Sequence, residues 1–278
     1  MRHGGIALGP PWRSLGAAGT GTLHETRPLA MPTLGVERQL VAWLPPGEPP
    51  RDGWPLVIFH DGQNLFDEHA AISPTWGLSG TLSDLAARGL PAAVVGVPHG
   101  GDRRRHELSP FWEEGVGTAY TADLVEVLLS AVRDSLPVTS ERASTFVAGS
   151  SLGGLISIYA VLAFPSVFGG LAALSPAIGR YNEGAWGWLE TRPKPEARVY
   201  VDVGWREIGR NRDLRRRHTS SAHYRTRVRR LRRLLLSRGF RDGVDLRYVE
   251  DPGGIHHETA WARRIGPALE FLVPSISP

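Results

Sequence analysis

The chain has 278 residues and no cysteine, so it has no disulfide framework, no thiolate metal site and no cysteine nucleophile. This absence fits a reducing compartment. Lysine is nearly missing too: Lys194 is the only one, and arginine supplies the rest of the positive charge. No apolar run approaches the ~18 residues that a membrane-spanning helix needs. The first residues, Met1 to Ala18, hold prolines and glycines but no sustained apolar run, so they do not read as a signal peptide. They read instead as a flexible leader reaching about Gly21. Residues 22–278 are expected to form one domain, in the cytoplasm.

What is present alternates. Continuous apolar runs at Pro55 to Phe59, Ala92 to Val97, Ser144 to Ala148, Leu171 to Leu174, Val199 to Val203 and Val244 to Val249 read as strands buried on both faces. Arg38 to Leu44 reads as a further strand. Between them lie helical patterns: Leu82 to Arg88, Thr121 to Leu136, Leu152 to Ala163, a stripe of Tyr224, Val228, Leu231 and Leu235 closed by Gly239, and Thr259 to Val273. This alternation predicts an α/β fold, with a largely parallel sheet and helices on both faces.

The segment Gly149-Ser150-Ser151-Leu152-Gly153 falls where a predicted strand meets a predicted helix. It has the form G-x-S-x-G of a nucleophile elbow, in which a tight turn exposes the serine hydroxyl. The flanking glycines make room for close backbone approach. A serine hydroxyl needs a base to take its proton and donors to hold the oxyanion. The base is expected late in the chain, and Glu250 to His257 forms a turn-rich stretch after the last strand. His256 and His257 are therefore the candidates, only one of which need face Ser151. The acid is expected after the strand Val199 to Val203. Glu207 lies just beyond that strand, whereas Asp202 lies inside it and would struggle to reach a histidine at the sheet's edge. One oxyanion donor is the Leu152 N–H. The loop His60-Asp61-Gly62-Gln63-Asn64 supplies the other, assigned to the Gln63 N–H, while His60 and Asp61 organise the loop. Trp186, Trp188 and Trp205 lie on segments that could line an acyl or aromatic pocket, or could pack in the core. No metal or cofactor is expected.

These segments together resemble the putative-esterase family of α/β-hydrolases, which includes esterase D, enterochelin esterases, feruloyl esterases and mycolyltransferases. The resemblance rests on Phe59 to Asp67, Gly149 to Leu155, Phe164 to Gly169, Leu174 to Ala177, Arg104 with Glu107, and His256 followed five residues later by Trp261. It implies an α/β-hydrolase fold and a serine esterase acting on a small-molecule ester. The triad would be Ser151, His256 and Glu207, with His256 preferred over His257 by the tryptophan spacing. The interval from Glu207 to His256 is longer than the family pattern suggests. Acyl transfer to another acceptor is the alternative activity, and a non-catalytic binding protein the alternative class.

From Arg206 to Arg241 there are fourteen arginines against Glu207 and Asp213, a local charge of +12 within a net charge of +4. Three readings are open for this segment, which includes Arg215 to Arg217 and Arg225 to Arg233. It could be a solvated helix face, an attractor for an anionic substrate, or a nucleic-acid surface. The apolar stripe favours the first reading. The scarcity of interleaved aromatics, Tyr224 excepted, weighs against the last.

Overall fold

The computed structural model describes residues 12–66, 74–179, 182–208 and 214–275, with the side chains of 214–219 excluded. In chain order the strands are β1 (Trp12–Ala18), β2 (Gly21–Thr26), β3 (Leu29–Met31), β4 (Val36–Arg38), β5 (Val41–Leu44), β6 (Leu56–His60), β7 (Ala93–Val97), β8 (Thr145–Ser150), β9 (Gly170–Leu174), β10 (Arg198–Arg206) and β11 (Leu246–Ile255). The helices are α1 (Leu78–Ala87), α2 (Arg104–Glu107), α3 (Gly117–Asp123), α4 (Leu129–Ser135), α5 (Leu152–Ala163), α6 (Gly184–Thr191), α7 (Leu214–Ser237) and α8 (Glu258–Leu272). A π turn, Leu124–Leu128, joins α3 to α4.

One nine-stranded sheet runs β1-β2-β5-β7-β6-β8-β9-β10-β11. From β7 to β11 every neighbouring pair is parallel. The β1–β2, β2–β5 and β5–β7 pairs are antiparallel. The central strands are apolar without alternation because both faces are covered. Leu56 and Ile58 of β6 face one core with α5 and α7, and Val57 and Phe59 face the other with α1 and α8. Each face thus buries its own cluster, and removing this apolar area from water drives the layering.

Besides splitting the expected strand Arg38 to Leu44 between β4, which pairs with β3 in a separate two-stranded sheet, and β5, the structure corrects three expectations. Residues Trp12 to Gly21 are not a leader: β1 pairs with β2 from Trp12–Thr26 to Ala18–Gly21 and extends the sheet. The cue was weak because β1 is exposed along most of its length. Residues 1–11 lie outside the described part. Second, β11 does not end at Val249 but continues through Pro252, Gly253 and Gly254 to Ile255. A register shift against Gly204 and Arg206 absorbs the irregularity. Third, α6 is an additional helix.

The arginine-rich α7 is 24 residues long and docks on β10 through Val228, Leu231 and Leu235. Its described arginines are largely matched within the chain. Arg229 grips Glu250 with two hydrogen bonds, Arg227 faces Glu183, Arg230 faces Glu190 and Arg232 faces Asp242. Arg225, Arg230 and Arg232 also lie over the rings of Trp205, Trp186 and Tyr248. Among the described residues, the outer face of the helix thus carries arginines that meet acids and rings of this same chain. Leu231→Ala should lower unfolding free energy by about 2–5 kcal/mol through the cavity it leaves. Replacing the exposed Arg233 by alanine should cost within about 0.5 kcal/mol. Urea denaturation of the two variants checks the contrast.

Candidate active site

Parallel strands place their C-terminal ends at one edge, and three such ends build the site. Ser151 follows β8, Glu207 follows β10, and His256 follows β11, which pairs with β10. Ser151 has φ 56° and ψ −118°, a conformation rarely open to a residue with a side chain. The turn is tight enough that a Cβ on Gly149 would lie 2.7 Å from the Gly153 carbonyl carbon. Only glycine fits at Gly149, which ties the sequence pattern to the strained serine.

Ser151 Oγ lies 2.8 Å from His256 Nε2. On the other side of the ring, His256 Nδ1 lies 2.6 Å from Glu207 Oε2. Glu207 is fully buried, and its second oxygen, Oε1, accepts from the Ser175 hydroxyl at 2.7 Å and from the Gly204 N–H. The imidazole stands edge-on to Trp261 at 4.9 Å and to Tyr224 at 5.3 Å between ring centres. His257 points elsewhere: it caps α8 by accepting from the Thr259 N–H. Asp202 stays inside β10, where its Oδ1 accepts from the Ser175 N–H at 3.0 Å and its Oδ2 lies 3.2 Å from Arg264 Nε. Burial pushes the Asp202 carboxyl up to about 7, against the pull of Arg264. The long interval before His256 contains α7, whose Tyr224 comes back to the site.

The loop after β6 forms the opposite wall. Asp61 is left-handed at φ 58° and is clamped by Arg104 through two hydrogen bonds of 2.6 and 2.8 Å. Burial opposes its ionisation, but the guanidinium outweighs burial and holds the carboxyl below its ordinary value. Gly62 packs directly on the Gly96 backbone, where a Cβ would approach to 2.4 Å. The Gln63 side chain turns to accept from the His99 N–H at 3.2 Å. His60 is buried against the Tyr120 hydroxyl at 2.8 Å, and burial depresses its pKa to about 4. It is therefore neutral at pH 7. Arg104 comes from α2, whose Glu107 accepts from Arg38 Nη2 at both carboxylate oxygens. This explains the pairing of Arg104 with Glu107 in the sequence.

Two clefts flank Ser151. One, about 310 Å³, is lined by Asp61, Asn64, Trp76, His99, Arg104 and Glu258, with Ser151 and His256 at its floor. The other, about 650 Å³, begins at Leu152 and is lined by Ala177, Ile178, Ile208, His223, Tyr224 and Arg227 among others. Neither is lined by Trp186, Trp188 or Trp205. Trp186 is buried in the core under Arg230, Trp188 packs with Phe111 and Tyr159, and Trp205 donates to Glu250 at the surface. α6 directs its tryptophans into packing because it covers an apolar face that the sequence does not reveal. The tryptophans that do line the smaller cleft are Trp76 and Trp261. Of these, only Trp261 carried a sequence signal, through its spacing from His256. Among the described residues, no group of three or more His, Asp or Glu could hold a metal ion, and no helix is long and apolar enough to cross a membrane.

With this geometry in hand, the comparisons give a class. The sequence profile of the Putative esterase family matches residues 32–272, so the chain belongs to that family of esterases. Its fold is that of the α/β-hydrolases. The Bacillus subtilis (strain 168) uncharacterized protein YbbA is 25% identical over 246 residues, which are 84% of this chain and 92% of that protein. Among solved structures, the Aspergillus nidulans siderophore hydrolase EstA has a TM-score of 0.68 at 19% identity, covering 98% of both chains. The Bacillus cereus BES protein also gives 0.68 at 19% identity, covering 91% of this chain and 95% of its own. The Shigella flexneri enterobactin esterase FES gives 0.66 at 17% identity; the match covers 92% of this chain but 60% of that protein.

The buried His60 has a definite consequence for acid stability. Its folded-state pKa lies below the unfolded value of about 6.5, so its contribution is present above that value and is lost as pH falls towards 4. Asp202 acts with the opposite sign in an overlapping range, so the wild-type curve alone mixes the two. Between pH 7 and pH 5, His60→Gln should lose about 2 kcal/mol less stability than the wild type. Urea unfolding of both proteins at the two pH values measures this.

Proposed function

We propose that this esterase cleaves carboxylic esters through an acyl-serine intermediate, with Ser151 as nucleophile, His256 as general base and acid, and Glu207 as the carboxylate that orients the imidazole. The observation that carries this reading is the continuous contact from Ser151 Oγ to His256 Nε2 at 2.8 Å and from His256 Nδ1 to Glu207 Oε2 at 2.6 Å. Nδ1–H donated to Glu207 leaves Nε2 as the acceptor for the serine proton. Ser151 Oγ then attacks the ester carbonyl, and the imidazolium that forms is stabilised by Glu207. The developing oxyanion takes hydrogen bonds from the Leu152 N–H, in the first turn of α5 where backbone donors lack helical partners. The second donor is assigned to the Gln63 N–H in the loop that Asp61 and Arg104 hold in place. Collapse breaks the C–O bond, and the imidazolium gives its proton to the leaving alkoxide. Water, deprotonated by His256, then releases the acid and restores Ser151.

The acyl and alcohol parts of the ester occupy the two clefts on either side of Ser151. The substrate is a small molecule. The names of the structural relatives make siderophore esters one candidate class, and His223 and Arg227, the latter facing Glu183, line the larger cleft. A panel of nitrophenyl esters of increasing chain length, run beside a feruloyl ester and a triscatecholate lactone, separates these substrates.

Ser151→Ala should reduce kcat on the best ester of that panel by on the order of 10⁵- to 10⁶-fold with the fold intact, because triad members act as a unit. His256→Ala should be nearly inactive and His257→Ala mildly impaired at most. The reverse ranking in a steady-state assay would assign the base to the wrong histidine. Activity should climb with pH as the imidazole loses its proton, and a flat kcat/KM profile from about pH 5 to 9 would contradict a histidine base.

A further inference from the structure

The carboxylate behind the histidine is itself held by a buried hydroxyl whose hydrogen-bond direction can be worked out. Ser175 is fully buried at the end of β9, with a left-handed backbone at φ 43°. Its Oγ lies 2.8 Å from Arg264 Nη2, 3.2 Å from Trp261 Nε1 and 2.7 Å from Glu207 Oε1. A guanidinium and an indole N–H can only donate. The two bonds from α8 therefore occupy the oxygen's lone pairs, and the single hydroxyl proton is left for Glu207. The backbone is equally committed. The Ser175 N–H donates to Asp202, and its carbonyl accepts from the Tyr224 hydroxyl at 2.7 Å.

Three elements distant in sequence thus converge on one residue, which lines neither cleft. Arg264 is almost completely buried, with Nε 3.2 Å from Asp202 and Nη1 3.8 Å from Asp251. The first contact lacks the alignment of a hydrogen bond and the second is too long for one, so these two nitrogens meet the carboxylates as ion pairs only. The aligned bond of this guanidinium goes to the Ser175 hydroxyl. Glu207 Oε1 is in turn saturated by Ser175 and by the Gly204 N–H, which leaves Oε2 alone to meet the imidazole. Gly204 permits this fold-back, since a Cβ there would sit 2.4 Å from the Gly254 carbonyl oxygen and 2.9 Å from Glu207 Oε1.

We propose that Ser175 is a positioning residue for the ester cleavage: its hydroxyl, polarised by Arg264, fixes Glu207 so that one carboxylate oxygen faces His256 Nδ1. The inference rests on the triad reading above. Charge-assisted hydrogen bonds to a carboxylate are among the stronger ones, and their loss lets the carboxylate turn or share its oxygens. The charged and titratable groups around Glu207 are His256 after β11, Asp202 on β10, Tyr224 on α7, Arg264 on α8 and Asp251 on β11. Removing the Ser175 donor leaves more of the Glu207 charge to hold the imidazolium. The ascending limb of the pH–rate profile should then move to higher pH.

The test is Ser175→Gly in the full chain, assayed with a nitrophenyl ester that the wild type hydrolyses. Glycine keeps the left-handed backbone without strain and removes only the hydroxymethyl group. The expected result is a kcat lower by about 10- to 100-fold, the scale of one hydrogen bond to a charged group. KM should be unchanged, the ascending limb should lie at higher pH, and melting should fall while the variant stays folded, because Arg264 Nη2 and Trp261 Nε1 lose their acceptor. If the glycine variant does not fold, Ser175→Ala, which keeps the Cβ packing, carries the same readouts. A folded variant with wild-type kcat and an unmoved limb would overturn the proposal. Glu207→Gln, measured alongside, separates the two failures. If it is crippled while Ser175→Gly is normal, the positioning role falls alone. If both are normal, the triad reading falls with it.

Discussion

The site depends on one backbone constraint, the turn at Ser151. Its dihedral angles place a side-chain-bearing residue where sterics normally allow only glycine. Such a conformation costs on the order of 1–3 kcal/mol and persists only when the surroundings fix it. They do so here. The Ser151 N–H donates to the Leu174 carbonyl, and its own carbonyl accepts from both Leu155 and Ala177. The close approach of Gly149 to Gly153 closes the turn from within. The hydroxyl is thereby held out at the edge where β10 and β11 deliver their own loops.

Parallel pairing makes this economical. β8, β9, β10 and β11 run in the same direction, so residues after their last positions meet without long excursions. Ser151, Ser175, Glu207 and His256 all come from such positions. The antiparallel half of the sheet, β1, β2 and β5, contributes none of them. The loop after β6 supplies the facing wall, and its charge is neutralised locally by Arg104. Arg229, Arg227, Arg230 and Arg232 of α7 likewise pair with Glu250, Glu183, Glu190 and Asp242.

How far the sequence reveals this follows from where each signal is made. β6 to β9 are legible because strands buried on both faces must be continuously apolar, and α5 matches its expected bounds because glycine punctuation and packing agree. β1 is not legible, since a largely exposed edge strand lacks that pattern. The turn at Ser151 is a local signal, carried by glycines that only a tight turn explains. Glu207 and His256 are legible through chain order and adjacency to strand ends. The tryptophan lining is not, because α6 turns Trp186 inward for reasons set by distant elements. Ser175 is the clearest case. Its segment, Leu174 to Ala177, is recognisable, but its contacts with Glu207, Tyr224, Trp261 and Arg264 exist only once three remote elements are folded together.

The central claim is that the strained turn delivers a nucleophile activated by His256. The most direct measurement is peptide mapping by mass spectrometry after reaction with an organophosphonate that mimics an ester. The account predicts a single adduct on Ser151, absent in Ser151→Ala and formed far more slowly in His256→Ala. An adduct on Ser150, or ester hydrolysis at the wild-type rate with Ser151 unmodified, would contradict it.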